Sequence, residues 1–162
     1  EGSELEAHLV ALLCVTSTKD PAGENRRADR AVAEGLFEVV VAVLSCAASE
    51  RVRELAVWNL VNATEATNAS GRERANQAVA SGALAALGMT LQATQSDAVA
   101  ARAATAIKHI LFGAGPSRLR RAQSAADAAL DEALALCLCK RLEPETREKV
   151  ELAYKLCKGA AT

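Results

Sequence analysis

Apolar residues recur at three- and four-residue intervals along most of this chain. Over 50–64, Val52, Leu55, Ala56, Val57, Leu60 and Val61 mark one wide stripe, the pattern of a helix buried along one side. Residues 29–44 (DRAVAEGLFEVVVAVL) and 76–91 (NQAVASGALAALGMTL) share a second pattern. Each has a polar residue, a variable one, Ala-Val-Ala, another variable one, Gly, and then an apolar helix, with Gly35 and Gly82 47 positions apart. Glycine suits the turn because it closes a helix in the left-handed conformation without a Cβ clash. Behind each copy lies another match, 53–61 (RELAVWNLV) with 103–111 (AATAIKHIL), aligning Ala56 with Ala106 and Leu60 with Ile110. Residues 8–15 (HLVALLCV) form a weaker copy. The predicted unit is a short helix, a Gly turn, a helix of about three turns, a polar break and a longer helix. Ser49 and Ser96 stand where the long helices at 50–64 and 96–112 need N-caps.

The last third reads differently. Gly113-Ala114-Gly115-Pro116 stops the preceding helix, and 117–142 is one uninterrupted helical pattern with Ser117 as its cap. Glu143-Pro144 breaks it, and 145–158 forms a final amphipathic helix. This division predicts repeats over 1–112 and a capping pair of helices over 113–162, packed on the same body, with a degenerate repeat as the alternative for the C-terminal segment. The polar stretch 63–75 (ATEATNASGRERA) predicts a projecting loop.

Together these features resemble the armadillo repeat. The residues that carry the resemblance are Asn76, Gly82-Ala83-Leu84 and Leu91, with Ala56-Val57-Trp58-Asn59-Leu60 for the Ala-Leu-x-Asn-Leu of the third helix. It covers 25–112 well and the first 20 residues loosely, about two and a half repeats. The resemblance implies an all-α, right-handed helical-repeat solenoid with a C-terminal helical cap. It also implies a concave face built from the third helices, where Asn59 would meet the backbone of an extended peptide. The long-helix alignment above puts His109, not Asn, at the next such position. The family's import receptors carry Trp four residues before that Asn, and here Leu55 and Thr105 stand there. These departures count against recognition of basic import signals.

Composition narrows the picture further. The chain has 37 alanines among 162 residues and only 2% aromatics, which leaves little material for a sheet. Its apolar runs fall short of the roughly 20 residues a membrane span needs. A net charge of −1 provides no global pull toward nucleic acid. Cys14, Cys46, Cys137, Cys139 and Cys157 lie in apolar helical contexts without framework spacing, which points to buried thiols in an intracellular, reducing compartment, the cytoplasm first. Because the sequence opens on Glu1, a targeting peptide is not assessable from it.

No catalytic constellation emerges, and no cofactor or metal is expected. His8 and His109 lack metal-ligand spacing with any thiol or carboxylate. Cys137 and Cys139 point about 200° apart around a helix. Gly113-x-Gly115 runs into proline and lacks a third glycine, so it is no phosphate loop. The expected function is protein–protein interaction through Leu55, Asn59, Asn62, Arg102, Thr105 and His109. Trp58 and the basic run Arg118, Arg120, Arg121 are secondary contacts, the arginines suited to an acidic partner. Asn59 has a second reading, as a hydrogen bond that fixes inter-repeat geometry. An adaptor working through the concave face is favoured over an architectural subunit that uses its outer helices and loops.

Overall fold

The computed structural model describes residues 2–17, 26–46, 49–65, 69–113 and 115–159. Among these the chain is all helix, with no strand. The ten helices are α1 (Gly2–Ser17), α2 (Arg26–Ala33), α3 (Leu36–Ser45), α4 (Glu50–Thr64), α5 (Ala69–Ala80), α6 (Ala83–Ala93), α7 (Asp97–Leu111), α8 (Pro116–Asp127), α9 (Leu130–Leu138) and α10 (Pro144–Lys158).

One 47-residue offset relates three successive helix triplets, α2–α4, α5–α7 and α8–α10. It also carries α1 onto α4, so α1 holds the third-helix position of a unit. The offset fixes the turns: Gly35, Gly82 and Ala129 all adopt positive φ, at 96°, 85° and 49°. It fixes the starts of the long helices as well. Ser49 and Ser96 accept hydrogen bonds from the amides of Val52 (3.3 Å) and Val99 (3.4 Å), and Glu143 precedes Pro144 in the corresponding place. Like packs on like: α1, α4, α7 and α10 form one row, α3, α6 and α9 a second, and α2, α5 and α8 a third. Between the rows lies a core of Phe37, Leu60, Leu87, Leu91, Ile107 and Leu134, with Ala56, Ala103 and Ala106 allowing the long helices to approach closely.

Three expectations change. The stretch 117–142 is two helices, not one, because the chain turns at Ala129. An alanine there announces no turn, yet the packing of α9 on α6 holds it left-handed at a cost of about 1–2 kcal/mol. The C-terminal third is therefore a third copy of the triplet in helix order and spacing, rather than a two-helix cap. The described parts of 63–75 are largely helical, since α4 runs to Thr64 and α5 starts at Ala69. Part of their polarity faces inward, while Arg72 and Glu73 stay exposed. Arg74 is buried and donates through Nε to the carbonyl of Ala63 (2.5 Å) and through Nη1 to Asp29 of α2. Finally, the match of 53–61 to 103–111 is three residues out of register. An alanine-rich stripe matches itself nearly as well one helical turn away, and the packed helices align Asn59 with Ala106 and Asn62 with His109.

Candidate functional site

The row of long helices brings aromatic, cationic, carboxylate and amide side chains together. The 47-residue offset stacks Leu55, Arg102 and Lys149 at one level of α4, α7 and α10, and Trp58, Thr105 and Leu152 at the next. The guanidinium of Arg102 lies over the Trp58 ring, 3.7 Å from its centroid, and its Nη2 donates to Glu54 Oε1 at 3.1 Å. Arg51 holds the other oxygen of Glu54 from its Nη1 at 3.0 Å. Arg102 and Thr105 then line a shallow groove of about 300 Å³ with Val61, Ala98, Ala101 and Lys149. The groove thus has a cationic wall, an aromatic shoulder and an apolar floor. Asn62 Nδ2 and Arg102 Nε are enclosed on this face and have no acceptor among the described residues. Thr105 turns its hydroxyl back onto the Ala101 carbonyl at 2.8 Å. His109 Nδ1 lies 3.2 Å from the Val61 carbonyl, a contact that requires the proton on Nδ1.

Leu55 and Asn59 are not on that surface. Leu55 is packed in the core, and Asn59 is fully buried between α4 and α1. Asn59 Nδ2 donates to the carbonyls of Leu9 and Leu55, both at 3.0 Å, and its Oδ1 accepts from Thr16 Oγ1 at 3.3 Å. Its amide ties neighbouring long helices together, which is the geometric reading of this residue, and a peptide backbone has no access to it. α1 is the cause, because its side lies directly against the position where an open end would expose the amide.

The secondary contacts also divide. Trp58 is half-buried and forms part of the site through Arg102. Arg118 is half-buried and Arg120 exposed, while Arg121 is buried and spent on structure. Its donors reach the carbonyls of Ile110 (2.5 Å) and Phe112 (2.8 Å) and the Asn76 side chain (2.7 Å), repeating the contacts of Arg74 one unit earlier. Burial, reinforced by Arg118 and Arg72 nearby, pulls its pKa below the ordinary arginine value. Of the five cysteines only Cys137 is buried and Cys157 half-buried, whereas Cys14, Cys46 and Cys139 are exposed, against the expectation of uniformly buried thiols. Short helices with narrow apolar stripes leave more of their circumference in solvent than the composition implied.

Glu54, Val61 and Lys149 were not among the sequence-derived candidates. Lys149 was readable in principle, since it stands 47 positions after Arg102, but only once the C-terminal third is aligned with the earlier units. No cluster of three or more potential metal ligands occurs among the described residues, and no helix there is long and apolar enough to cross a membrane. No protein-family model matches the chain, and no curated protein matches its sequence.

Proposed function

We propose that this chain is an armadillo-like, right-handed solenoid that works as a non-catalytic protein-interaction module, an adaptor or accessory subunit whose long-helix row is a concave binding face. One observation carries the reading. Arg102, stacked on Trp58 and braced by Glu54, stands in a groove with Thr105 and Lys149, while its own Nε and the enclosed Asn62 Nδ2 lack acceptors among the described residues. A rigid cationic and aromatic surface of this kind suits an extended segment bearing a carboxylate. The buried state of Asn59 removes the amide clamp, so an import-type peptide receptor is disfavoured further. Neither a nucleic acid nor a cofactor enters this proposal.

A second reading, an architectural subunit held by its outer helices, draws on Met89 and Leu136. They are exposed, and they occupy one register on α6 and α9, 47 positions apart. One experiment separates the two. The intact protein is used for affinity capture, its partners are identified by mass spectrometry, and the captured partner is then titrated against two double variants. Loss of binding in Arg102→Ala with Lys149→Ala, with Met89→Asp and Leu136→Asp unaffected, supports the long-helix face. The reverse pattern supports the architectural subunit.

A further inference from the structure

The junction of α5 with α8 repeats that of α2 with α5 in layout and reverses it in charge. In the earlier junction Asp29 of α2 accepts from Ser70 Oγ and from Arg74 Nη1 of α5, so the buried guanidinium has a carboxylate against it. The 47-residue step carries these three residues onto Asn76, Ser117 and Arg121. Arg121 is buried as Arg74 is, but its Nη1 donates to the neutral Asn76 Oδ1 at 2.7 Å, and its other donors reach main-chain carbonyls. The hydrogen bond is kept and the countercharge is gone. Ser117, at the place of Ser70, has no partner for its hydroxyl among the described residues. Glu73 is replaced in the same direction, since Arg120 stands 47 positions after it.

Between the two helices lies a cleft of about 250 Å³, lined on α8 by Ser117, Arg120, Arg121 and Ser124 and on α5 by Asn76. The four α8 positions fall on one helical face by their spacing of three, four and seven residues. At the equivalent places of the earlier junction stand one arginine and two carboxylates, Arg74 with Asp29 and Glu73; here stand two arginines and no carboxylate. Arg118, one turn from Arg121 on α8, and Arg72, one turn before Asn76 on α5, add two more cations. Burial, with the nearby charges of Arg118 and Arg72, holds the Arg121 pKa below the ordinary arginine value, which marks a cation short of countercharge. Arg72, Arg118 and Arg120 have no ion pair among the described residues. Against these guanidiniums stands Glu73 at the rim, which accepts from Asn76 Nδ2 at 3.4 Å.

We infer that the α5–α8 cleft takes the phosphate of a phosphoserine or phosphothreonine on a partner protein. One carboxylate answers one arginine, as Asp29 does, whereas this cleft has two arginines in its wall and two more beside it. A phosphate monoester carries about −1.5 to −2 charge and three acceptor oxygens. Those oxygens suit the exposed Arg120 guanidinium and the Ser117 hydroxyl, with the buried charge of Arg121 behind them. The cleft is smaller than the roughly 300–1,000 Å³ of sites that enclose a whole small molecule. It therefore holds a phosphoryl group whose carrier stays outside, as a side chain on a longer segment does. Its recess between two helices also favours a projecting group over a flat lipid surface. Described helices wall the cleft on both sides, and it lies on the first-helix row, not on the Trp58–Arg102 groove, so the two proposals fail independently.

The probe is a bead-bound peptide library with a fixed central phosphoserine and random flanks, set beside the same library with serine or glutamate at the centre. The full chain should be retained on the phosphoserine library about tenfold more than on either control. Arg120→Ala, which removes an exposed side chain, should lower that retention by about tenfold. Asn76→Asp restores the carboxylate of the earlier junction; it should lower retention likewise and also raise the melting temperature, because Arg121 then has an internal anion. Circular dichroism verifies that both variants are folded, and Arg120→Ala alone decides if Asn76→Asp is not. The inference is overturned if the phosphoserine library retains no more than its controls, or if a folded variant binds as the parent does. It is also overturned if inorganic phosphate at the peptide's concentration displaces the chain, which would make this a site for a free anion. Tighter Arg120-dependent binding to phosphatidylcholine vesicles containing a phosphatidylinositol phosphate would overturn it too, and give the cleft to a membrane.

Discussion

The Arg102 guanidinium lies 3.7 Å from the centre of the Trp58 ring, so the single tryptophan of this protein is covered by a cation from the next long helix. The contact joins α4 to α7 at the surface and also shapes the groove proposed for a partner. A cation–π pair at such a partly exposed place is worth about 0.5–1 kcal/mol. Arg102→Ala should therefore lower stability only slightly while changing the environment of the indole. The expected outcome is a clear shift in Trp58 fluorescence with a nearly unchanged urea midpoint. An unchanged emission spectrum would show that the stacking does not persist in solution.

Asn59 behaves oppositely. It is buried, and its amide bridges Leu9 and Leu55 and meets Thr16. Asn59→Ala should cost about 1–3 kcal/mol through lost buried hydrogen bonds. Chemical denaturation measures this, and a midpoint equal to that of the parent would place the amide in solvent.

Two of the turns and one helical glycine make a graded set. Gly82 has a φ of 85° with open space around its missing Cβ, so Gly82→Ala should cost about 1–2 kcal/mol from the backbone alone. Ala129 already bears that cost at φ 49°, and Ala129→Gly should recover part of it. Gly71 sits buried in α5, not in a loop, so Gly71→Val should cost about 1–3 kcal/mol by overpacking. Thermal melts of the three variants read the series, and a destabilising Ala129→Gly would mean that the α8–α9 turn is not left-handed.

Thiol chemistry should follow burial. Burial pushes the Cys157 thiol up to about 12, and it raises that of Cys137 as well. A thiol reagent at pH 8 should modify exposed Cys46 and Cys139 first and Cys157 last. Because the folded state keeps the Cys157 proton to higher pH than the unfolded chain does, folding binds protons above the ordinary thiol value of 9.0. The stability this group contributes is full below that value and declines as pH rises toward 12. Denaturation at pH 7.5 and pH 10 should show a fall that Cys157→Ala reduces. Equal falls in parent and variant would assign the effect to other groups.

Helix content, the left-handed turns at Gly35 and Gly82, the caps at Ser49 and Ser96, and the 47-residue spacing of those two glycines were all legible in the residues themselves. Each is a local matter, set by apolar periodicity, by the absence of a Cβ, or by a hydroxyl next to free amides. The sequence did not reveal which polar residues turn inward. Arg74 read as part of a projecting loop, Arg121 as a partner contact, and Asn59 as either a groove amide or an inter-repeat tie, until neighbouring helices placed carbonyls and acceptors against them. Nor could it reveal the turn at Ala129, which packing imposes on a residue that prefers otherwise. The long-helix register was also beyond it, because repeated alanines look alike one turn apart, and only the volume between packed helices distinguishes Ala106 from His109 as the counterpart of Asn59.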